Sequence, residues 1–221
     1  MTVLSATKAE AVYQELRNRI LDGSLPPGST LDQRAIADQY EISTTPIREA
    51  LRRLESEHLV VVRAHHNPRV SPLSVEELQY LFAVRLELDP LAGRLAAKAP
   101  AAEREAIGRL LEEPGWKSPA ERVNANRNFH RAIYGACGNP VLVQVLDSLW
   151  IRCDRYRFLL AGTDSEYYGH EDEEHAAMVR ALLDGDGKAV EHLLREHIEG
   201  SSERLIRLAE EFTALPAAAT K

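Results

Sequence analysis

Apolar residues recur at helical spacing along nearly the whole chain, broken by a short β-type run near residues 59–71. In AEAVYQELRNRILDG, Val12, Leu16, Ile20 and Leu21 share one helix face, and Gly23 ends the segment. LPPGST then reads as a turn. Asp32 can cap a short helix, QRAIADQY, and a second helix, TTPIREALRRLESE, starts after a tight turn at Glu41 and Ile42. Ser43 is its N-cap, and Pro46 is tolerated in the first turn, where backbone N–H groups have no helical partner anyway. The same helix turns Ile47, Ala50, Leu51 and Leu54 inward. LVVVR and RVSP, on either side of AHHNP, predict strand, turn and strand.

From Ser74 onward the pattern is helical throughout, in about six segments: 74–98, 101–113, 119–136, 140–161, roughly 166–184 and 187–213. Ser118-Pro119-Ala120-Glu121 is a capping box with Pro at the first position. Asn139-Pro140 opens the next helix, Asp184-Gly185-Asp186-Gly187 divides the last two, and Leu215-Pro216 closes them. The tail PAAATK is expected to be disordered. The expected fold is mainly α: a winged helix-turn-helix at residues 1–73 and an all-α helical bundle at 74–221, joined without a long tether through VSPLS.

Composition narrows the class. With 44% hydrophobic and 28% charged residues, the chain reads as an ordinary globular protein. No apolar run reaches membrane-span length and the N-terminus lacks signal-peptide character, so a cytoplasmic protein is expected. Cys137 and Cys153 lie in helical patterns without zinc-type spacing and read as reduced core residues. The net charge of −7 argues at first against a nucleic-acid partner. Residues 8–71, however, hold nine Lys/Arg and nine Asp/Glu, so all of that charge lies further on. Ser43–Ser71 carries five Arg and three His against three Glu, a mildly basic patch inside an acidic chain.

In a winged helix-turn-helix the N-terminal end of the second helix enters the major groove. That end carries Thr44, Thr45 and Arg48, with Arg52 one turn on. Arg can contact guanine through two parallel hydrogen bonds, and Thr can reach base edges, methyls or phosphates. The bland alternative is a solvated helix laced by Glu49 with Arg52 and Arg53. PPGSTLDQRAIADQYEISTTPIREALRRLESEHLVVVRAHHNPRV resembles the GntR family of bacterial transcription regulators, most specifically in PG, L, a short helix, then S-x-T-P-I-R-E-A-L-x-x-L. The resemblance implies that Arg34 and Arg48 contact operator DNA, beside Ser43 and Thr45, and that His66 and Arg69 flank a wing tip at the minor groove. Thr44 stands where the family usually has Arg, which takes away one guanine contact. Asn67 stands at the wing tip in place of Gly, and is expected to keep the turn by adopting φ > 0.

Asn126 and His130, four apart in NANRNFHRAIYGACGNP, share a helix face although Asn is a mediocre helix former. His175 lies nine residues before Asp184 and His197 ten after Gly187. Helices joined by so short a turn run antiparallel, which sets both histidines level, roughly 14–15 Å from the turn. His170 and His192 fit that face less well and read as surface. Two level histidines and an Asn/His pair make a plausible four-ligand site for zinc, nickel, iron or manganese; the alternative is ordinary hydrogen-bonded core histidines. Residues 74–213 resemble the FCD ligand-binding domain of FadR-type GntR regulators, in its shorter six-helix, VanR-like form. That resemblance implies a divalent metal site (zinc, nickel or manganese) at Asn126, His130, His175 and His197, with the last two 22 residues apart. Asn126 replaces the family's Asp, removing one negative charge, so weaker metal binding or dependence on an anionic ligand is expected.

Arg85 falls on the apolar stripe Leu78, Leu81, Phe82, Leu88, Ala92 and Leu95. A buried guanidinium needs a partner, which is either Asp89 one turn on or a carboxylate effector. Arg152 is a second candidate of that kind, and Pro90 is expected to bend the helix. The first functional reading is a homodimeric transcription factor of the repressor type, controlled by a small organic acid and recognising a two-fold symmetric operator. A metal-sensing regulator is the alternative. A metal-dependent hydrolase is disfavoured, because no Asp or Glu is obviously placed as general base and residues 8–71 would serve no purpose.

Overall fold

The computed structural model describes residues 2–64, 66–111, 118–160 and 171–214, with the side chains of 2–7, 119 and 120 excepted. The chain divides into two compact units, Met1–Leu73 and Ser74–Lys221.

The first unit is α1 (Thr2–Leu21), α2 (Gln33–Gln39) and α3 (Thr44–Ser56), followed by the hairpin β1 (Val60–Val61) and β2 (Arg69–Val70). Val12, Leu16 and Ile20 of α1 bury against Ile47, Ala50, Leu51 and Leu54 of α3, the apolar stripes that the pattern predicts. Asp32 caps α2, its Oδ1 accepting from Arg34 N at 2.8 Å and Ala35 N at 3.1 Å. Ser43 holds the N-cap position of α3, but its hydroxyl accepts no capping bond. The turn between the two helices runs through Glu41 at φ 52°, with Ile42 N bonded to Ala37 O at 3.0 Å. The strands pair antiparallel, Val60 with Val70 and Val61 with Arg69.

Two local expectations change. Within the segment expected as a plain turn, Gly28 N bonds to Val70 O and Val70 N to Ser29 O, each at 2.9 Å. Leu31 N bonds to Pro68 O at 2.7 Å, so this stretch forms a third edge beside β2. Asn67 is not among the residues with positive φ. Pro68 follows it, and the proline ring drives the preceding residue into extended backbone, so the left-handed conformation expected there is sterically closed.

The second unit contains, among the described residues, α4 (Val75–Ala96), α5 (Ala101–Arg109), α6 (Pro119–Gly135), α7 (Pro140–Leu160), α8 (Glu171–Asp184) and α9 (Gly187–Ala214). Ser74 caps α4 by accepting from Glu77 N, and Ser118 caps α6 by accepting from Glu121 N, both at 3.2 Å. Asp186 caps α9 through Lys188 N and Ala189 N at 3.1 and 3.0 Å, just after Gly185 turns the chain at φ 71°. α4 runs through Pro90 as one helix. The expected start of the α8 segment near residue 166 and the tail 216–221 lie outside the described residues.

α4 lies along α9, and Gly93 sets how closely. A methyl group there would overlap Leu194 Cδ1 and stand 2.9 Å from Val190 Cγ1, both in side chains that are fully buried. His197 follows Leu194 by one turn on α9, so this packing fixes the height of a candidate site residue. Gly93→Ala should overpack the core and destabilise the protein by about 1–3 kcal/mol in urea unfolding; unchanged stability would mean that the α4–α9 contact is looser than described.

Candidate metal centre and nucleic-acid interface

Three helices deliver His130, His175 and His197 to one place. α6 presents His130 one turn after Asn126, α8 presents His175 and α9 presents His197. Their ring centroids are 5.2 Å apart for 130–175, 4.9 Å for 130–197 and 4.9 Å for 175–197. All three are buried, and one nitrogen of each lies within 4.8 Å of the others. Phe129 and Trp150 wall the cluster, 4.5 Å from His175 and 5.0 Å from His130 respectively.

The hydrogen bonds around the rings fix where their protons sit. Tyr134 Oη is 2.8 Å from Asp89 Oδ2, which can only accept, so the phenol donates there. The same oxygen accepts from Trp150 Nε1 at 3.3 Å. His130 Nδ1, 3.3 Å from this oxygen, must therefore be the donor, leaving His130 Nε2 as a bare lone pair. His197 Nδ1 lies 2.5 Å from Glu174 Oε2 and donates in the same way. In neutral rings the two Nε2 atoms then face each other at 3.1 Å, acceptor against acceptor. That arrangement calls for a cation or a shared proton between them.

The spacing suits a metal ion. With Zn–N bonds of about 2.0–2.1 Å, two ligand nitrogens subtending 90–109° stand about 2.9–3.4 Å apart. Burial, then the neighbouring imidazoles, push the His130 pKa well below its ordinary value, and burial lowers that of His175 to about 2. Both rings are neutral and keep the lone pairs that a metal needs. His175 Nε2 and Asn126 Oδ1 are buried without hydrogen-bond partners among the described residues. A cavity of about 30 Å³ touches Asn126, Phe129, Glu171 and His175, enough for one ion or water. These residues fit a divalent cation, with Asn126 Oδ1 as a further oxygen donor.

The two arginine expectations fare differently. Arg85 is fully buried, and its Nε and Nη2 donate to Asp89 Oδ2 at 3.2 and 2.7 Å. Asp89, one of the two expected partners, is therefore in place, and Nη1 has no hydrogen bond among the described residues. Arg152 does not join the cluster: its Nε and Nη2 donate to Glu77 Oε1 at 3.2 and 2.7 Å, a quarter exposed, beside Arg155 and Tyr156. The reason is helical angle, since five residues separate Arg152 from Arg157, about 140° around the helix. Arg157 is the buried one. It lies over Trp150 at 4.9 Å, donates to Ser201 Oγ at 2.8 Å, and its charge helps to lower both histidine pKa values. Its position on the stripe Leu146, Trp150, Cys153 was the available signal. His192 is exposed, and His170 lies outside the described residues.

In the other unit, Ser43, Thr45, Arg48 and Arg52 are exposed at the start and outer face of α3, and Thr44 is half-buried. Arg34 is exposed on α2, and Arg48 Nε donates to Gln33 Oε1 there at 3.2 Å. The alternative Glu49–Arg ladder does not form. Arg53 pairs with Glu10 and Glu57 and lies 3.6 Å over the Tyr13 ring, while Arg52 has no ion pair among the described residues. His66 and Arg69 are exposed at the hairpin, where they line a groove of about 410 Å³ with Arg63, a further cation that the sequence reading passed over.

A helix-turn-helix with a β-wing, in one chain with a helical unit, defines the class: a winged-helix transcription regulator with a helical companion domain. The chain belongs to the GntR family of bacterial regulatory proteins, whose model matches residues 8–66, and its second unit is an FCD domain, matched over residues 80–200. It is 34% identical over 203 residues to the HTH-type transcriptional regulator BphR of Paraburkholderia xenovorans (strain LB400), covering 87% of this chain and 82% of that one. It is 28% identical over 200 residues to the HTH-type transcriptional repressor GlaR of Escherichia coli (strain K12), covering 84% and 90%. The structure of E. coli McbR/YncC superposes with a TM-score of 0.76 at 26% identity, over 93% of this chain and 98% of that one. These relatives are regulators and not enzymes. No helix among the described residues is long and apolar enough to cross a membrane.

A cation bound to three helices is held only by the folded state. At free metal about 100-fold above Kd, that linkage is worth about 2.7 kcal/mol, or about 5–10 °C in a protein of this size. Chelation should lower Tm by that amount, and His175→Ala or His197→Ala should remove the sensitivity. An unchanged Tm on chelation and on adding zinc, nickel or manganese would rule out a metal at this site.

Proposed function

We propose that this regulator is a homodimeric repressor in the bacterial cytoplasm, and that its operator binding is controlled through the histidine cluster, by a small organic acid held next to a divalent cation. The observation that carries the reading is the buried triad of His130, His175 and His197, with Nε2 of His130 and Nε2 of His197 3.1 Å apart and the buried guanidiniums of Arg85 and Arg157 against Trp150 at 4.1 and 4.9 Å. A metal ion there would act as a Lewis acid and offer open positions to a carboxylate. His130, His175, His197 and Asn126 would hold the cation, while Arg157 and Nη1 of Arg85 would favour an anion beside it. The small cavity favours a second reading, since about 30 Å³ admits an ion but no organic acid unless the helices part. In that reading the metal itself is the signal. Either ligand acts only by binding the DNA-competent and incompetent arrangements with different affinity. Titrating metal and candidate acids separately against operator binding separates the two.

For DNA, Thr45 and Arg48 of α3 would read base edges, with Ser43, Thr44 and Arg52 beside them and Arg34, His66 and Arg69 on the backbone or minor groove. Arg48→Ala should weaken the specific site by about 1–3 kcal/mol and relax base preference there. Wild-type affinity at equal salt would refute this docking.

The dimer contact is assigned to the helical unit. Tyr80 and Val84 on α4 are 64% and 45% exposed, and Val141 and Val145 on α7 are 68% and 40% exposed. α4 and α7 pack together, so these exposed apolar one-turn pairs lie on neighbouring helices. Val84→Asp with Val145→Asp should turn the sedimenting dimer into a folded monomer; a persistent dimer would place the contact elsewhere.

A further inference from the structure

Glu171 is 2% exposed, yet its carboxylate is poorly matched with partners. Oε2 accepts from Asn126 Nδ2 at 3.0 Å, while Oε1 has no hydrogen bond among the described residues. The cation facing it is Arg204, whose Nη2 is 3.9 Å from Oε1, beyond hydrogen-bond distance and partly exposed. A buried carboxylate in that condition is costly unless something else in its surroundings needs a negative charge.

Its placement supplies that need. Glu171 precedes His175 on α8 by the same single turn that separates Asn126 from His130 on α6. The two helices therefore carry matching rungs, with Asn126 bonded to Glu171 and His130 against His175 at a 5.2 Å centroid distance. Asn126, Glu171 and His175 line one cavity, and each has one buried polar atom without a hydrogen bond among the described residues: Oδ1, Oε1 and Nε2.

We propose that Glu171 supplies the negative charge of the cation site through Asn126. Accepting from Nδ2, it fixes the amide, leaves Oδ1 as the atom that would serve a cation, and places a carboxylate one hydrogen bond behind that neutral donor. Glu171 is a positioning residue here, since its oxygens do not fall within 4.8 Å of all three histidine nitrogens, as those nitrogens do of one another. A carboxylate behind a ligand raises that ligand's basicity and fixes its orientation, and loss of such a partner costs on the order of 10–100-fold in metal affinity. The charge that Asn126 lacks by comparison with an aspartate thus comes from the neighbouring helix. This rests on the metal reading above, and the experiment keeps the two apart.

The probe is Co2+ alone, titrated into the metal-free full-length protein and followed by its visible absorption, with circular dichroism to confirm folding. Glu171→Gln keeps the shape and an acceptor for Asn126 Nδ2 but removes the charge. Its Co2+ affinity should fall on the order of 10–100-fold with the absorption band unchanged in shape. Adding Asn126→Asp to Glu171→Gln should restore most of the loss, since the charge returns one bond closer. If Glu171→Gln binds Co2+ like wild type while His175→Ala does not bind, the proposal fails and the metal reading stands. A changed band shape, or no recovery in the double variant, would also overturn it. If wild type takes up no Co2+, or His175→Ala binds it equally, the metal reading fails and the proposal falls with it.

Discussion

The contact between Nε2 of His130 and Nε2 of His197, 3.1 Å apart and fully buried, sets the terms for the whole helical unit. Neither ring can turn away, because Tyr134 holds one by Nδ1 and Glu174 holds the other. Tyr134 is held in turn by Asp89, and Asp89 by Arg85, so the orientation of His130 traces back to an ion pair inside α4. Of the two partners the sequence offered for Arg85, Asp89 is the one in contact, and through Tyr134 the pair anchors a histidine. In neutral rings these two nitrogens would stand acceptor against acceptor in a dry interior, and a cation or a shared proton between them would relieve that.

The rest of the unit serves that constraint by fixing heights. Gly93 lets α4 lie against Val190 and Leu194, which sets where His197 stands along α9. Gly185 and the Asp186 cap turn α8 into α9 over a few residues, which sets His175 level with it. Three helices meeting at one ion would form a coupling element, because any ligand that shifted one donor would shift a helix. The apolar face on α4 and α7 belongs to helices that also carry Arg85 and Arg157. In the proposed dimer, a change at the cluster would have a route to that face and so to the spacing of the two DNA-reading helices.

Much of this was legible in the sequence, for reasons of period and rise. The apolar stripes of α1 and α3, the caps at Asp32 and Ser118 and the level histidines all follow from local geometry that one sequence displays. What stayed hidden depends on which helix faces which. Glu171, Glu174 and Tyr134 become partners of Asn126, His197 and His130 only when α6, α8 and α9 converge. Arg152 and Arg157 look alike in RCDRYRF, and only the buried face of α7 distinguishes them. At the wing, the left-handed tolerance of Asn67 was read without the restriction from Pro68, and the pairing of residues 28–31 with β2 is a long-range bond that no local pattern announces.

The central claim is that the three imidazoles enclose a metal ion, with Asn126 turning Oδ1 toward it. The most direct measurement is a crystal structure of the protein purified without chelators, with anomalous data recorded on both sides of the absorption edges of nickel, zinc and manganese. The account predicts one anomalous peak about 2.0–2.2 Å from a nitrogen of each of His130, His175 and His197. An empty centre, with the His130 and His197 nitrogens bridged by a hydrogen bond alone, would contradict it.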